Sequence, residues 1–168
     1  QANADRQVKV KILHLMADID LQSLDWRNAL RVFEQIRTLQ PDDEKSRHML
    51  VDLNFRLNQP AQALSELDNH LAHLLNTAQH EKALEAMSDL INEYPDQAAL
   101  HRRLAEIYRQ HGRIREAIEQ LDITGDIYLQ VDNKAGAIES IMAILALNPP
   151  NAEQYQQVLA RLRAEQMR

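Results

Sequence analysis

The sequence predicts an all-α fold, a repeat solenoid of about nine antiparallel helices. Composition is the first reason. Only 3 Gly and 5 Pro stand among 168 residues, too few for the many turns of a β fold. Ala, Leu, Glu, Gln and Arg dominate, and these are strong helix formers. The second reason is a period of 54 residues. Residues 26–79 slide onto 80–133 without a gap, with 9 identities in 54. Most of these fall at packing or turn positions: Ala29 on Ala83, Leu30 on Leu84, Pro41 on Pro95, Leu50 on Leu104, Ala63 on Ala117 and Leu67 on Leu121. A fixed period of this size marks a stacked architecture. The third reason is that apolar residues recur three and four apart, as one face of a helix requires.

Each element follows from these signals. The first helix spans about 5–22, and Leu13, Asp18, Ile19, Leu21 and Gln22 match the end of a repeat at Leu121, Asp126, Ile127, Leu129 and Gln130. Helix 26–39 carries Ala29, Leu30, Phe33, Ile36 and Leu39 on one face and stops before Pro41. Proline lacks an N–H and disfavours helix in the residue before it. Helix 44–57 carries Met49, Leu50, Leu53 and Leu57, and Asn58 (Gly112 in the next copy) supplies a residue suited to a left-handed stop. Pro60 suits the first turn of helix 60–76. The pattern repeats as 80–93, 98–111 and 114–130, then 134–147 and 152–165. No Gly or Pro marks the break near 77–80; only its register with Asp25-Trp26 and Asp132-Asn133 places a turn there. The whole of 1–168 therefore reads as one array: 1–25 the end of a repeat, 26–79 and 80–133 full repeats, 134–168 a partial one. Because it opens inside a helical pattern, it reads as a piece of a longer protein.

Composition also excludes functions. The net charge is −6, and the 19 basic residues are scattered, whereas nucleic-acid binding needs a concentrated basic face. No Cys is present, which removes disulfide and thiolate chemistry and suits a reducing, cytoplasmic setting. No apolar run approaches the length of a membrane span.

The residues Asp25-Trp26-Arg27-Asn28-Ala29, then Phe33, Ile36 and Pro41, carry a resemblance, as do Leu104, Ala105, Tyr108, Gly112, Ala117 and Leu121. They resemble the tetratricopeptide (TPR) family, a 34-residue helix–turn–helix repeat. The likeness covers almost the whole chain and implies a right-handed superhelix that acts as a protein-binding scaffold. One departure stands out. The alanines at 29, 63, 83, 117 and 137 are spaced 34, 20, 34 and 20, so each 54-residue unit has three helices. Either equivalent helices alternate between two layers, or the array is a three-helix solenoid closer to the armadillo type. The family's groove positions, carried over, fall on Lys45, His48, Asp52 and Phe55 and on Ala99, Arg102, Glu106 and Arg109. These are the candidate peptide-binding residues. His101, Arg102, Arg103 and Arg109 make one side of helix 98–111 basic, suited to an acidic peptide end. The lysine and asparagine set of chaperone-tail clamps is absent from these positions.

Catalytic and metal sites are not expected. His70 and His73 stand three apart with His80 near in sequence, but zinc needs three or four converging ligands, and the simpler expectation is solvated or helix-flanking histidine. Glu81, Glu85, Asp89 and Glu93 at spacing four read as a solvated face rather than an acid–base pair. Trp26, Tyr108, Tyr128 and Tyr155 read as packing residues. No cofactor is implied. The predicted role is a non-catalytic scaffold for a peptide or protein partner, with a regulatory or spacer module of a larger enzyme or transcription regulator as the alternative. The first helix carries Val8, Val10, Ile12, Leu13, Leu15, Met16, Ile19 and Leu21 around more than one face. The neighbour of that helix is therefore expected upstream in the longer protein, and this piece is expected to self-associate through its truncated N-terminal end, or to pack that end against another chain, in a way the upstream repeat would abolish; the last helix, with one stripe of Tyr155, Val158, Leu159 and Leu162, should stay more solvated.

The recurrent alanines mark close helix crossings. Ala83→Leu is expected to overpack its crossing and lower stability by about 1–3 kcal/mol, measured by urea denaturation; an unchanged midpoint would show that the small side chain is not required.

Overall fold

The computed structural model describes residues 1–168 and is all-α, with nine helices and no strand. These are α1 (Ala2–Gln22), α2 (Trp26–Leu39), α3 (Glu44–Arg56), α4 (Pro60–Asn76), α5 (His80–Glu93), α6 (Ala98–Gln110), α7 (Ile114–Gln130), α8 (Lys134–Ala146) and α9 (Ala152–Gln166). Their limits agree with the sequence reading to within one residue, except that α1 begins three residues earlier. The unmarked break at 77–80 is present: α4 ends at Asn76, Ala78 adopts φ 55° and α5 starts at His80.

Two kinds of stop separate the helices. One is a left-handed residue, at Leu24, Asn58, Ala78, Gly112 and Asp132. At each, its own N–H bonds a carbonyl three residues back and the next N–H reaches five back. Asp25 N to Asp20 O, Gln59 N to Asn54 O, Gln79 N to Leu74 O and Asn133 N to Tyr128 O all measure 2.8 Å. This is the Schellman arrangement, which satisfies two of the orphan carbonyls at a helix end. Asn148 repeats the left-handed φ, but Pro149 follows it and has no N–H for the second bond. The other stop is proline: α2 ends before Pro41 and α5 before Pro95. Aspartate and asparagine then start the next helices. Asp25, Asp43 and Asn133 accept the N–H of Asn28, Ser46 and Gly136 at 3.2, 2.8 and 2.9 Å, the preferred N-cap chemistry.

The chain divides into two compact units, Gln1–Ala83 and Leu84–Arg168. In the first, α1 packs on α2, α2 on α3 and α3 on α4, and the short connections make consecutive helices antiparallel. Val10, Leu13, Ala17, Ala29, Phe33, Ile36, Leu50 and Leu53 form a continuous buried cluster, with Trp26 half-buried at its edge. Arg56 of α3 lays its guanidinium 5.1 Å from the centre of the Trp26 ring, so that ring packs rather than standing out as a recognition aromatic. Polar contacts join helices two apart: Asp18 of α1 to Lys45 of α3 at 2.8 Å, Arg37 of α2 to Glu66 of α4, and Glu44 of α3 to Lys82 at the start of α5 at 2.6 Å. Odd helices therefore share one layer and even helices the other.

The second unit repeats this logic. α6 packs on α7, α7 on α8 and α8 on α9. Arg102 of α6 faces Glu139 of α8, and the Tyr155 hydroxyl of α9 donates to Asp122 of α7 at 2.8 Å. α6 and α8 share a layer, and α7 and α9 share the other. The helices α6 and α9 begin 54 residues apart yet lie in opposite layers. Within each unit, then, the helices alternate as a two-layer zigzag. The core is held by Ala137, Ile138, Ile141 and Leu162, with Tyr128 and Tyr155 against it, and by Ala105, Leu121 and Ile144.

Small residues recur at buried positions. Ala29, Ala63, Ala83, Ala117 and Ala137 are all completely buried. Gly136 is tighter still: a Cβ there would lie 2.7 Å from the Tyr128 ring. At Gly125 a Cβ would meet only Ser140 Cβ at 3.6 Å, an ordinary contact. The two glycines should respond with opposite signs. Alanine in a helix interior is favoured over glycine by about 1 kcal/mol, so Gly125→Ala is expected to raise the melting temperature. Gly136→Ala is expected to lower it because the ring is in the way. Differential scanning calorimetry of the two variants checks this, and equal shifts would show that Tyr128 moves aside freely.

Candidate functional site

The seven sequence-derived candidates, with Ala99, fall on two helices, and the structure treats the two sets differently. On α3, Asp52 and Phe55 are buried. Asp52 accepts from Arg56 one turn on at 2.8 Å, so its carboxylate is held inside its own helix. Lys45 is exposed, but its ammonium pairs with Asp18 of α1 at 2.8 Å. His48 is half-buried. Of the four residues at groove spacing, two are thus buried, one is paired with α1 and one is half-buried.

α6 presents its set outward. Arg102, Glu106 and Arg109 are exposed and lie three and four apart along one face, with Ala99 half-buried above them. Arg109 forks onto both Glu106 oxygens, Nε at 2.8 Å and Nη2 at 2.6 Å, and Gln110 donates to the same carboxylate at 2.9 Å. The hydrogen bonds from Arg109 hold the Glu106 carboxyl below its usual value. Arg102 reaches only to 3.9 Å from Glu139 of α8, both side chains well exposed. That pair is long and solvated, so most of its Coulomb energy is screened. Arg102 and Glu139 also line a small cleft with Leu121, Tyr128, Gly136, Ser140 and Ala143.

The basic side of α6 is narrower than the sequence suggested. His101 is buried: its Nδ1 meets Gln120 Oε1 and its Nε2 meets the Pro95 carbonyl, both at 2.8 Å. Arg103 is half-buried and donates to the Ala99 carbonyl at 3.1 Å. The surface stripe is Arg102, Glu106 and Arg109 alone.

The histidines do not converge on a site. No group of three or more His, Cys, Asp or Glu is placed to hold a metal ion. His70 is not solvated, as the spacing suggested, but buried in α4. Burial lowers its imidazole to about 4, and Arg47 and His48 push the same way. His14 of α1 lies against the Phe33 ring, 6.1 Å between centres, and points Nε2 at Asp43 at 3.1 Å. Asp43 also caps α3, and its bonds to Ser46 and His14 outweigh burial and hold its carboxyl below its usual value. Across α7 and α9, burial raises the Asp122 carboxyl, while burial and the Asp122 bond push Tyr155 up to about 12.

These same-layer links were not read from the sequence. Their signal is faint: complementary pairs such as Asp18–Lys45, His14–Asp43 and Asp122–Tyr155 stand 27, 29 and 33 residues apart. That is the separation of helices two apart.

No protein-family profile matches the chain. Among curated proteins, a Protein Smg homolog of Shewanella sp. (strain ANA-3) is 31% identical over 90 residues, covering 53% of this chain and 55% of that protein. The homolog of Shewanella oneidensis is 33% identical over 85 residues, covering 50% and 52%. The chain thus spans about half the length of these curated relatives. Among solved structures, a MamA RS-1 double mutant aligns over 94% of this chain and 96% of its own at 16% identity and TM-score 0.44. PcrH from Pseudomonas aeruginosa aligns over 83% and 92% at 16% identity and TM-score 0.39. TTC0263, a TPR protein of Thermus thermophilus, aligns over 95% and 99% at 16% identity and TM-score 0.32.

The depressed His70 makes stability pH-dependent. Between its ordinary value of 6.5 and about 4, the unfolded chain binds a proton that the folded chain excludes, so stability falls as pH drops through that window. The melting temperature is expected to decrease from pH 7 to pH 5, and His70→Gln is expected to remove part of that decrease. An identical pH slope in wild type and variant would show that His70 takes up its proton without unfolding.

Proposed function

We propose that this chain is a non-catalytic protein-interaction module, one TPR-type array across 1–168 built from a 54-residue, three-helix unit. It engages its partner on the layer that α6 shares with α8. The observation that carries the reading is the exposed stripe Arg102, Glu106 and Arg109, beside a cleft shared with Glu139. The neighbouring apolar positions of α6, among them Leu100, Leu104 and Ile107, are buried. What this face offers a partner is therefore charge, with the Arg102 guanidinium its least committed group. Arginine pairs with carboxylates in a planar fork, so an acidic segment of a partner protein is the fitting ligand, with Arg102 as its first contact. The α3 set contributes less, because Asp52 and Phe55 are buried and Lys45 is paired.

A photo-crosslinking amino acid placed at Arg102 tests the reading, with one at the highly exposed Arg115 of α7 as the opposite-layer control. Cross-links to an identified partner are expected from position 102 and not from 115. Arg102→Glu with Arg109→Glu should then weaken binding of that partner at least tenfold by titration calorimetry, with an unchanged circular dichroism spectrum. Cross-linking from 115 alone, or unchanged affinity in the double variant, would place recognition elsewhere.

A further inference from the structure

We propose that the cleft between α2 and the end of α3 is a second carboxylate-binding site, one that takes an acidic segment of a partner protein. Arg27, Leu30, Arg31 and Glu34 of α2 line it, with Leu57 and Gln59 just beyond α3. It encloses about 760 Å³, open solvent at its mouth included, which is room for a short peptide segment. None of these residues is among the groove positions carried over from the TPR pattern. The cleft lies wholly within the first unit, so it does not depend on the reading of α6.

The two arginines stand against the preference of their own helix. Arg27 is the second residue of α2 and Arg31 follows one turn later. Unpaired N–H groups give a helix N-terminus a partial positive charge, which favours acids there and disfavours cations. α2 has no acidic residue in its first turn, and the capping Asp25 is engaged by Asn28. Like charges four apart on a helix also repel. No partner offsets either cost: both side chains are exposed, and neither guanidinium makes an ion pair or a hydrogen bond. At the start of α7, by contrast, Arg113 pairs with Glu116 at 2.9 Å and Arg115 with Glu119 at 3.2 Å. Arg56, next to Leu57, is committed to Asp52 and the Trp26 ring.

The repeat register shows that the fold does not ask for these cations. The positions equivalent to Arg27 and Arg31 are Glu81 and Glu85 in α5, then Ala135 and Glu139 in α8. The position of Leu30 stays apolar, as Leu84 and Ile138. Packing is kept and the outward charge is reversed. Local rules broken without a structural return mark functional positions. The chemistry of the ligand follows from the lining. Residues four apart hold their Cβ atoms about 5–6 Å from each other, and each guanidinium matches a carboxylate in a planar fork. Leu30 and Leu57, both half-buried, add apolar surface to the cleft. Glu34 disfavours a further acid on its side. The fitting segment therefore carries acidic residues flanking one aliphatic side chain.

Two readouts test this. The first is the set of arginine Nε–Hε NMR signals, recorded on the Arg102→Glu, Arg109→Glu double variant so that the α6 stripe is removed. A short synthetic peptide with one leucine flanked by glutamates is expected to shift the Arg27 and Arg31 signals saturably, and the same peptide with glutamines to leave them in place. Adding Arg27→Gln with Arg31→Gln should weaken binding of the glutamate peptide at least tenfold by fluorescence anisotropy, with an unchanged circular dichroism spectrum. The second readout is stability. Arg27→Glu puts an acid in the first turn, four residues before Arg31, so the melting temperature in low salt is expected to rise. Equal shifts from the two peptides, inorganic phosphate shifting both signals as strongly as the glutamate peptide, unchanged affinity after both Arg-to-Gln changes, or a lower melting temperature for Arg27→Glu each overturn the proposal.

Discussion

The distance at which two helices cross governs this molecule. Fully buried small residues recur along the helices. Ala29 and Ala63 in the first unit and Ala117 and Ala137 in the second have no exposed surface, and Gly136 leaves no room even for a methyl group beside Tyr128. Close approach lets large side chains from the flanking turns interlock. In the first unit this permits Phe33, Ile36, Leu50 and Leu53 to bury completely. Interiors packed at crystal-like density tolerate neither a void nor an added methylene well, so the alanine positions and the bulky positions constrain one another.

The turns complete that constraint. A crossing is reproducible only if the chain reverses in a fixed geometry, and the three-residue left-handed stop provides it. The conformation is imposed even on Leu24 and Ala78, residues that disfavour positive φ. Two carbonyl bonds per stop and the packing beyond it outweigh that local preference. Proline stops need no such strain, because they end the helix by removing a donor. The two kinds of stop together produce consecutive antiparallel helices, and alternation of layers follows directly. Helices two apart become neighbours on one side, where Arg37–Glu66 and Tyr155–Asp122 link them.

Function then depends on what the packing leaves outside. Apolar positions of α6 are consumed by its neighbours, and its outer face is a charged stripe. On α1 the balance is reversed, with a second apolar line left in solvent after the core is satisfied. One surface is charged and the other apolar.

The sequence by itself determined the helices and their limits, because periodicity, proline and N-cap residues are local signals. Leu13, Ala29, Phe33 and Ile36 are legible as one face without knowing what they touch. The break at Ala78 was legible only by register with Asp132, since alanine carries no turn signal. The candidate binding residues were half legible as a surface: spacing placed Arg102, Glu106 and Arg109 on one face, which is exposed, but it equally named Asp52 and Phe55, which are buried. Helical spacing gives the angle of a residue about its own axis, not whether another helix occupies that angle. The burial of His70 and His101, the links between helices two apart and the alternation of layers were therefore decided only by tertiary structure, where contacts between helices distant in sequence, 19 residues apart for His101–Gln120 and 27 for Asp18–Lys45, fix which faces meet.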